Sequence, residues 1–361
     1  MKSRERINAI IAGEPADRCG LWLGNPHSDS WPAIHQYFGT HAEEEVRVKL
    51  QDDLRWISPQ FFPDVYRDPN GRGMFEAGLN KQQHGQAGPL ADCEDVEQLE
   101  LYPWPNPDYL SFDQCLVELR SAGDIYRASG FWTCFYHDII DLFGMDNYML
   151  KMYTHPEVVH AVTDRVCGFY FEANERFFAA AGSEVDGFFF GNDFGTQLDL
   201  ICGPAQFDQF IMPWFRRFTE QAHMHGYQAL LHSCGAIHKV INRLIDAGVD
   251  CLHPLQALAA NMDAKTLARD FGGRIAFMGG IDTQQLLVHG TPEEVKREVR
   301  RVKALLEPRL IVSPSHEALL PNVPPGNLEA MAEAAIELTH RPIQAFQVTH
   351  DSMPERSGNS S

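Results

Sequence analysis

The chain has 361 residues, 44% hydrophobic and 22% charged, a balance that excludes disordered and fibrous classes and leaves either two modest domains or one large α/β architecture. Thirty Lys and Arg stand against 49 Asp and Glu, and the resulting net charge of -19 has the wrong sign for a protein that grips a phosphate backbone. No stretch reaches the roughly 18 to 20 apolar residues of a membrane span, and the charged opening MKSRERINAIIAGEP does not read as a signal peptide, so a cytoplasmic protein with neither membrane nor nucleic acid as partner is expected.

In chain order, residues 4–12 read as an amphipathic helix closed by Gly13 and Pro15, and 19–23 as a short strand ending in Gly24, Asn25 and Pro26. Residues 29–57 read as mainly helical. Residues 63–92 are rich in turn formers and carry a D-P-N-G turn signal, which predicts a hairpin or loop excursion over one end of the fold. YPWPNPD (102–108) reads as a rigid connector. From residue 111 onward helical windows alternate with short apolar runs at 125–129, 185–191, 228–232, 251–254, 275–279 and 310–313. That alternation is the signature of βα units on a parallel sheet. With 19–23 it makes seven strands, and an eighth is missing or hidden in 54–66. The expected fold is an α/β class (β/α)8 barrel of the TIM type over residues 1–343, with a frayed tail at 344–361. A doubly wound sheet is the alternative, but its G-x-G-x-x-G turn is absent. The eight cysteines are dispersed without a C-x-x-C pair, which suits reduced thiols.

In such a barrel the chemistry sits at the C-terminal ends of strands, which selects among the many polar residues. Trp22 and Asn25 end the first strand, Asp193 follows FFFG (188–191), and His232 and Cys234 close LLHSC (230–234). His253 and Gln256 lie in DCLHPLQ (250–256), Asp282 ends MGGID (278–282), and His316 and Glu317 follow the last strand. The i, i+2 spacing of His232 and Cys234 sends both side chains to the same side of the strand end. Imidazole and thiolate are both zinc ligands, and a catalytic zinc needs a third protein donor, for which His316 is the natural candidate. The alternative is a hydrogen-bonded core histidine beside a buried thiol. Asp193 reads equally as a general acid or base and as a turn cap. His223 and His225 precede Gly226 at a helix end, where they suit the helix dipole. The run Glu43, Glu44, Glu45 reads as a solvated helix start.

The segments ALLHSCGAIHKVINRLIDAGVDCLHPLQ (229–256), IAFMGGIDTQQLL (275–287) and HEALLPNVPPGNLEAM (316–331), with the opening SRERINAIIAGEPADR (3–18), resemble the uroporphyrinogen decarboxylase superfamily. The resemblance covers roughly residues 205–340 and the N-terminus, and implies the barrel. True decarboxylases of that superfamily carry arginines on an N-terminal loop that hold the substrate's carboxylates. Here the stretch LWLGNPHSDSW (21–31) has none. Another branch holds zinc through an H-x-C pair and a later cysteine, and moves a methyl group from a methylated corrinoid protein to a thiol such as coenzyme M. His232 and Cys234 match that pair, while the later cysteine falls where this chain reads Ser315, His316, Glu317. The third donor is then His316, or Glu317, or missing.

The resemblance therefore implies a zinc-dependent methyltransferase acting between a methylcobamide, carried on a separate corrinoid protein, and a thiol. Its expected metal ligands are His232, Cys234 and His316, with Asp193, His253 and Glu317 as catalytic or orienting groups and Trp22, Asn25, Gln256 and Asp282 facing substrate. Two alternatives stand beside it: a tetrapyrrole decarboxylase of the uroporphyrinogen type, with Asp193 or Asp282 near the pyrrole nitrogens, and a non-catalytic barrel that binds a corrinoid or its carrier protein.

Overall fold

The computed structural model describes residues 1–75 and 85–338 of the chain. Its eight strands are β1 (Gly20–Leu21), β2 (Leu54–Trp56), β3 (Tyr126–Ser129), β4 (Gly187–Gly191), β5 (Gln228–His232), β6 (Cys251–His253), β7 (Ala276–Ile281) and β8 (Leu310–Pro314). All pair in parallel in the order β1-β8-β7-β6-β5-β4-β3-β2, and helices surround them, which makes the fold an α/β barrel of the TIM type. The remaining seam, between β1 and β2, is closed by Asp53, whose backbone N–H donates to the Leu21 carbonyl at 2.8 Å and whose Oδ2 accepts the Leu21 N–H at 3.0 Å.

The eighth strand expected within 54–66 is β2. The window 29–57, expected to be mainly helical, divides into helices Trp31–Phe38 and Glu43–Leu50, with Gly39 in the left-handed region at φ 61° between them, and then enters β2. Residues 63–75 and 85–92 form turns, with an antiparallel bridge between Tyr66 and Leu110. The centre of that excursion, 76–84, and the expected tail, 344–361, lie outside the described residues. Among the described residues no helix is long and apolar enough to cross a membrane.

The period-2 alternation of a strand decides what fills the barrel. On β4, Phe189 turns inward while Phe188 and Phe190 stack on each other outside at 4.6 Å, in the layer beneath the helices. Leu230 on β5, Cys251 on β6, Met278 on β7 and Ile311 on β8 join Phe189 inside. The N-terminal helix Ser3–Ala12 plugs the lower end, where its buried Ile7, Ile10 and Ile11 complete this inner cluster. Burying side chains of that size contributes about 1.5–3 kcal/mol each. Arg4 fastens the plug to Asp186 below β4 at 2.6 Å. With the bottom sealed and the interior filled, the C-terminal ends of the strands are left as the place for polar side chains.

Candidate metal centre at the barrel mouth

Two steps beyond Leu230, the same alternation places His232 at the top of the interior with 4% exposure. Cys234 follows on the loop. Gly235 then turns at φ 85°, so close to the β4 loop that a Cβ on it would lie 2.2 Å from the Gly195 carbonyl oxygen. That approach puts Asp193 beside Cys234, and Asp193 Oδ1 accepts the Cys234 N–H at 2.8 Å. His232 Nε2 stands 3.3 Å from Cys234 Sγ and 3.4 Å from Asp193 Oδ1. One donor atom from each of Asp193, His232 and Cys234 falls within 4.8 Å of the others. A carboxylate, an imidazole and a thiol at such spacing are the donor chemistry of a zinc site with a position left for substrate.

The opposite face of the His232 ring meets a second set of groups. His232 Nδ1 is 3.0 Å from His253 Nδ1 and 3.3 Å from Glu317 Oε2. His253 is fully buried, edge-on to Trp22 and Phe189, and its Nε2 has no hydrogen-bond partner. Glu317 Oε2 is also buried without one, since its approach to His232 has ion-pair distance but not hydrogen-bond alignment.

The charges follow from this arrangement. Burial opposes a charge on His232, but the Glu317 carboxylate and hydrogen bonds to Asp193 and Cys234 outweigh it and hold the ring well above its ordinary value. Burial pushes the Cys234 thiol up, and His232 only partly offsets that. For Asp193, burial favours the acid, yet His137 and His232 beside it keep the carboxyl far below the usual range. His253 is driven well below its ordinary value by burial, then by its neighbours His232 and His316, so it stays neutral. Without a cation the site is thus an imidazolium, a thiol and a carboxylate.

The other residues expected at the site are spread around it. The His316 ring lies 6.0 Å from that of His232, and its Nδ1 accepts the Ala318 N–H at 3.1 Å, so it stands outside both donor clusters. Asp282 accepts N–H groups of Gln284, Gln285 and Leu286 and caps the turn after β7. Gln256 Oε1 takes the Gly235 N–H at 3.0 Å and the Gln197 amide at 2.8 Å, tying three loops together. Trp22 lies 1% exposed beneath His253, while Asn25 is exposed and its backbone N–H donates to the Glu317 carbonyl at 2.7 Å. Two neighbours escaped the strand-end rule. His137, on helix Phe135–Phe143, faces Asp193 Oδ2 at 3.6 Å, and the Trp132 ring lies 5.2 Å from that of His232. Trp132 reaches there because residue 191 is glycine; a Cβ on Gly191 would meet the indole at 2.0 Å.

The close passage at Gly235 is open to a direct test. Gly235→Ala would strain a positive φ and push the two loops apart, so we expect about a tenfold or greater loss in zinc affinity, read by competition with a chromophoric chelator. Unchanged affinity would mean that the loops hold the donors without this contact.

Comparison with known proteins adds three findings. The family model of uroporphyrinogen decarboxylase (URO-D) matches residues 130–338. A methylated-thiol–coenzyme M methyltransferase of Methanosarcina mazei is 25% identical over 157 residues, a match spanning 44% of this chain and 39% of that protein's length. The solved structure of a methyltransferase from Methanosarcina mazei superposes with a TM-score of 0.62 at 16% identity, covering 93% of this chain and 98% of that one, a likeness of fold.

Proposed function

The chain belongs to the uroporphyrinogen decarboxylase family, and from that premise we propose that it is a zinc-dependent methyltransferase that moves a methyl group between a corrinoid and a thiol acceptor. The observation that carries the reading is the convergence of Asp193, His232 and Cys234 donor atoms within 4.8 Å at the mouth of the barrel. The donor set fits zinc, with His232 Nε2 and Cys234 Sγ as two ligands and Asp193, nearer than His316, as the third. The name of the methanogen relative, a methylated-thiol–coenzyme M methyltransferase, supports thiol methyl transfer over decarboxylation.

Zinc held there would supply the positive charge that draws the proton from a thiol near neutral pH. The chain's own residues set the stage for that event. The Cys234 N–H holds Asp193 Oδ1 in place, and His137 faces its other oxygen. Glu317, on the far side of the His232 ring from these donors, sets the charge on that ring from 3.3 Å. Trp132 and Trp56, partly exposed and backed by the buried Phe189, give the mouth an apolar side against which the acceptor's carbon skeleton and a flat macrocycle can pack. The corrinoid would arrive on a separate carrier protein.

The test is zinc content together with methyl transfer from methylcobalamin to a panel of thiols. We expect about one zinc per chain or more and measurable transfer in the parent, and loss of both the mouth zinc and turnover in Cys234→Ser. Full transfer by a metal-free Cys234→Ser protein, or consumption of a porphyrinogen by the metal-free parent, would overturn the reading.

A further inference from the structure

The imidazole of His232 has donors gathered at both of its nitrogens, and only one of those gatherings is used by the proposed zinc site. On the Nδ1 side stand His253 Nδ1 at 3.0 Å and Glu317 Oε2 at 3.3 Å, and the three donor atoms lie within 4.8 Å of one another. Tetrahedral ligands around a zinc with bonds of about 2.0–2.1 Å are about 3.3 Å apart, so this spacing is that of a coordination sphere. Two histidines and a carboxylate are also a complete catalytic-type set in their own right. The hydrogen bonding points the same way. Two Nδ1 atoms facing each other can share only one proton, and Glu317 Oε2 has no hydrogen-bond partner although it is buried.

We propose that His232 Nδ1, His253 Nδ1 and Glu317 form a second divalent-cation site, joined to the first through the His232 ring. The joined arrangement rests on the reading of the first site; the second triad by itself does not. For the ring to serve both sites, the proton on His232 Nδ1 would leave to solvent as the second cation binds, and each ring nitrogen would face its own donor set. The charges then match: Asp193, the Cys234 thiolate, Glu317 and the deprotonated ring together balance two dications, which a buried site requires. The lower position, walled by Trp22 and Phe189, would be structural, fixing the orientation of the ring that holds the upper one.

The experiment titrates the chelator-stripped full-length chain with Zn2+ and with Co2+, reading stoichiometry by dialysis with elemental analysis and thiolate ligation by the near-ultraviolet Co2+ charge-transfer band. Glu317→Gln is isosteric and removes no hydrogen bond from Oε2, so it takes away the carboxylate donor of the lower site while keeping the shape of the side chain. Two equivalents are expected in the parent and one in each of Cys234→Ser and Glu317→Gln, with the thiolate band kept in Glu317→Gln and lost in Cys234→Ser. One equivalent in the parent that vanishes in Cys234→Ser would overturn the second site and leave the first standing. One equivalent that survives Cys234→Ser but not Glu317→Gln would uphold the second site and overturn the first. Two equivalents in all three proteins would place the extra ion elsewhere and overturn the proposal, and none in any would overturn both sites.

Discussion

Affinity at the proposed zinc site should rise by about a hundredfold for each pH unit between about pH 5.5 and 6.5. His232 is held well above its ordinary 6.5 by Glu317, Asp193 and Cys234 despite burial, and the Cys234 thiol is pushed above its ordinary 9.0 by burial. Both therefore carry the proton that zinc must displace throughout that range. Each released proton contributes a tenfold change per unit, and the sign is fixed because falling pH restores the competitor. Asp193 adds nothing to the slope, since His137 and His232 keep it ionised, and neutral His253 releases no proton on this account. Competition with a chelator of known affinity at several pH values gives the slope directly. Cys234→Ser should reduce it to tenfold per unit along with the affinity itself. A tenfold slope in the parent would mean that only one of the two groups ligates.

The steepness of that dependence comes from contacts across three loops, and such contacts are what the sequence conveys least. His232 and Cys234 are readable because strand alternation alone sends them to the same end of β5. Their partners depend on tertiary approach. Asp193 joins Cys234 only because Gly235 lets the β4 and β5 loops pass within contact of each other, and Trp132 covers His232 only because residue 191 lacks a side chain. His137 lies on a helix, where no rule about strand ends would find it. The same rule gathers residues whose side chains serve the loops themselves: Asp282 holds the turn after β7, and Gln256 ties Gly235 to Gln197. A strand end shows which residues reach the mouth; hydrogen bonding then decides which of them remain available to a ligand.

The strands show the same division. QALLH (228–232) is legible to the residue because its apolar run is bounded and its polar end is capped by a turn. β2, Leu54–Trp56, is not, because its middle residue is an arginine. Arg55 points away from the interior, 10% exposed, and pairs with Glu44 on helix Glu43–Leu50 at 2.7 Å. An ion pair between strand and helix replaces the apolar face that marks a buried parallel strand, so the helical rhythm of the preceding residues runs straight into it.

Asp53→Ala is expected to cost about 3–5 kcal/mol of unfolding free energy, the largest stability loss predicted for a single substitution in this chain. Asp53 is fully buried and accepts from five donors: Ser3 Oγ at 2.7 Å, Arg6 Nη1 at 2.7 Å, both Arg18 terminal nitrogens at 2.7 and 3.1 Å, and the Leu21 N–H at 3.0 Å. Removing the carboxylate leaves two buried guanidiniums uneven in their remaining support. Arg6 keeps Asp17 at 2.7 Å, whereas Arg18 keeps only the carbonyls of Cys19 and Gln51. A charge left in that state costs far more than an exposed ion pair is worth. The loss falls at the one seam where no strand ladder closes the barrel, and on the contacts that hold the helical plug by Ser3 and Arg6. The variant should therefore unfold at lower urea with protection from hydrogen exchange lost first along β1, β2 and the N-terminal helix. A loss below about 1 kcal/mol would mean that the Asp53 backbone bond to Leu21 closes the seam without help from its side chain.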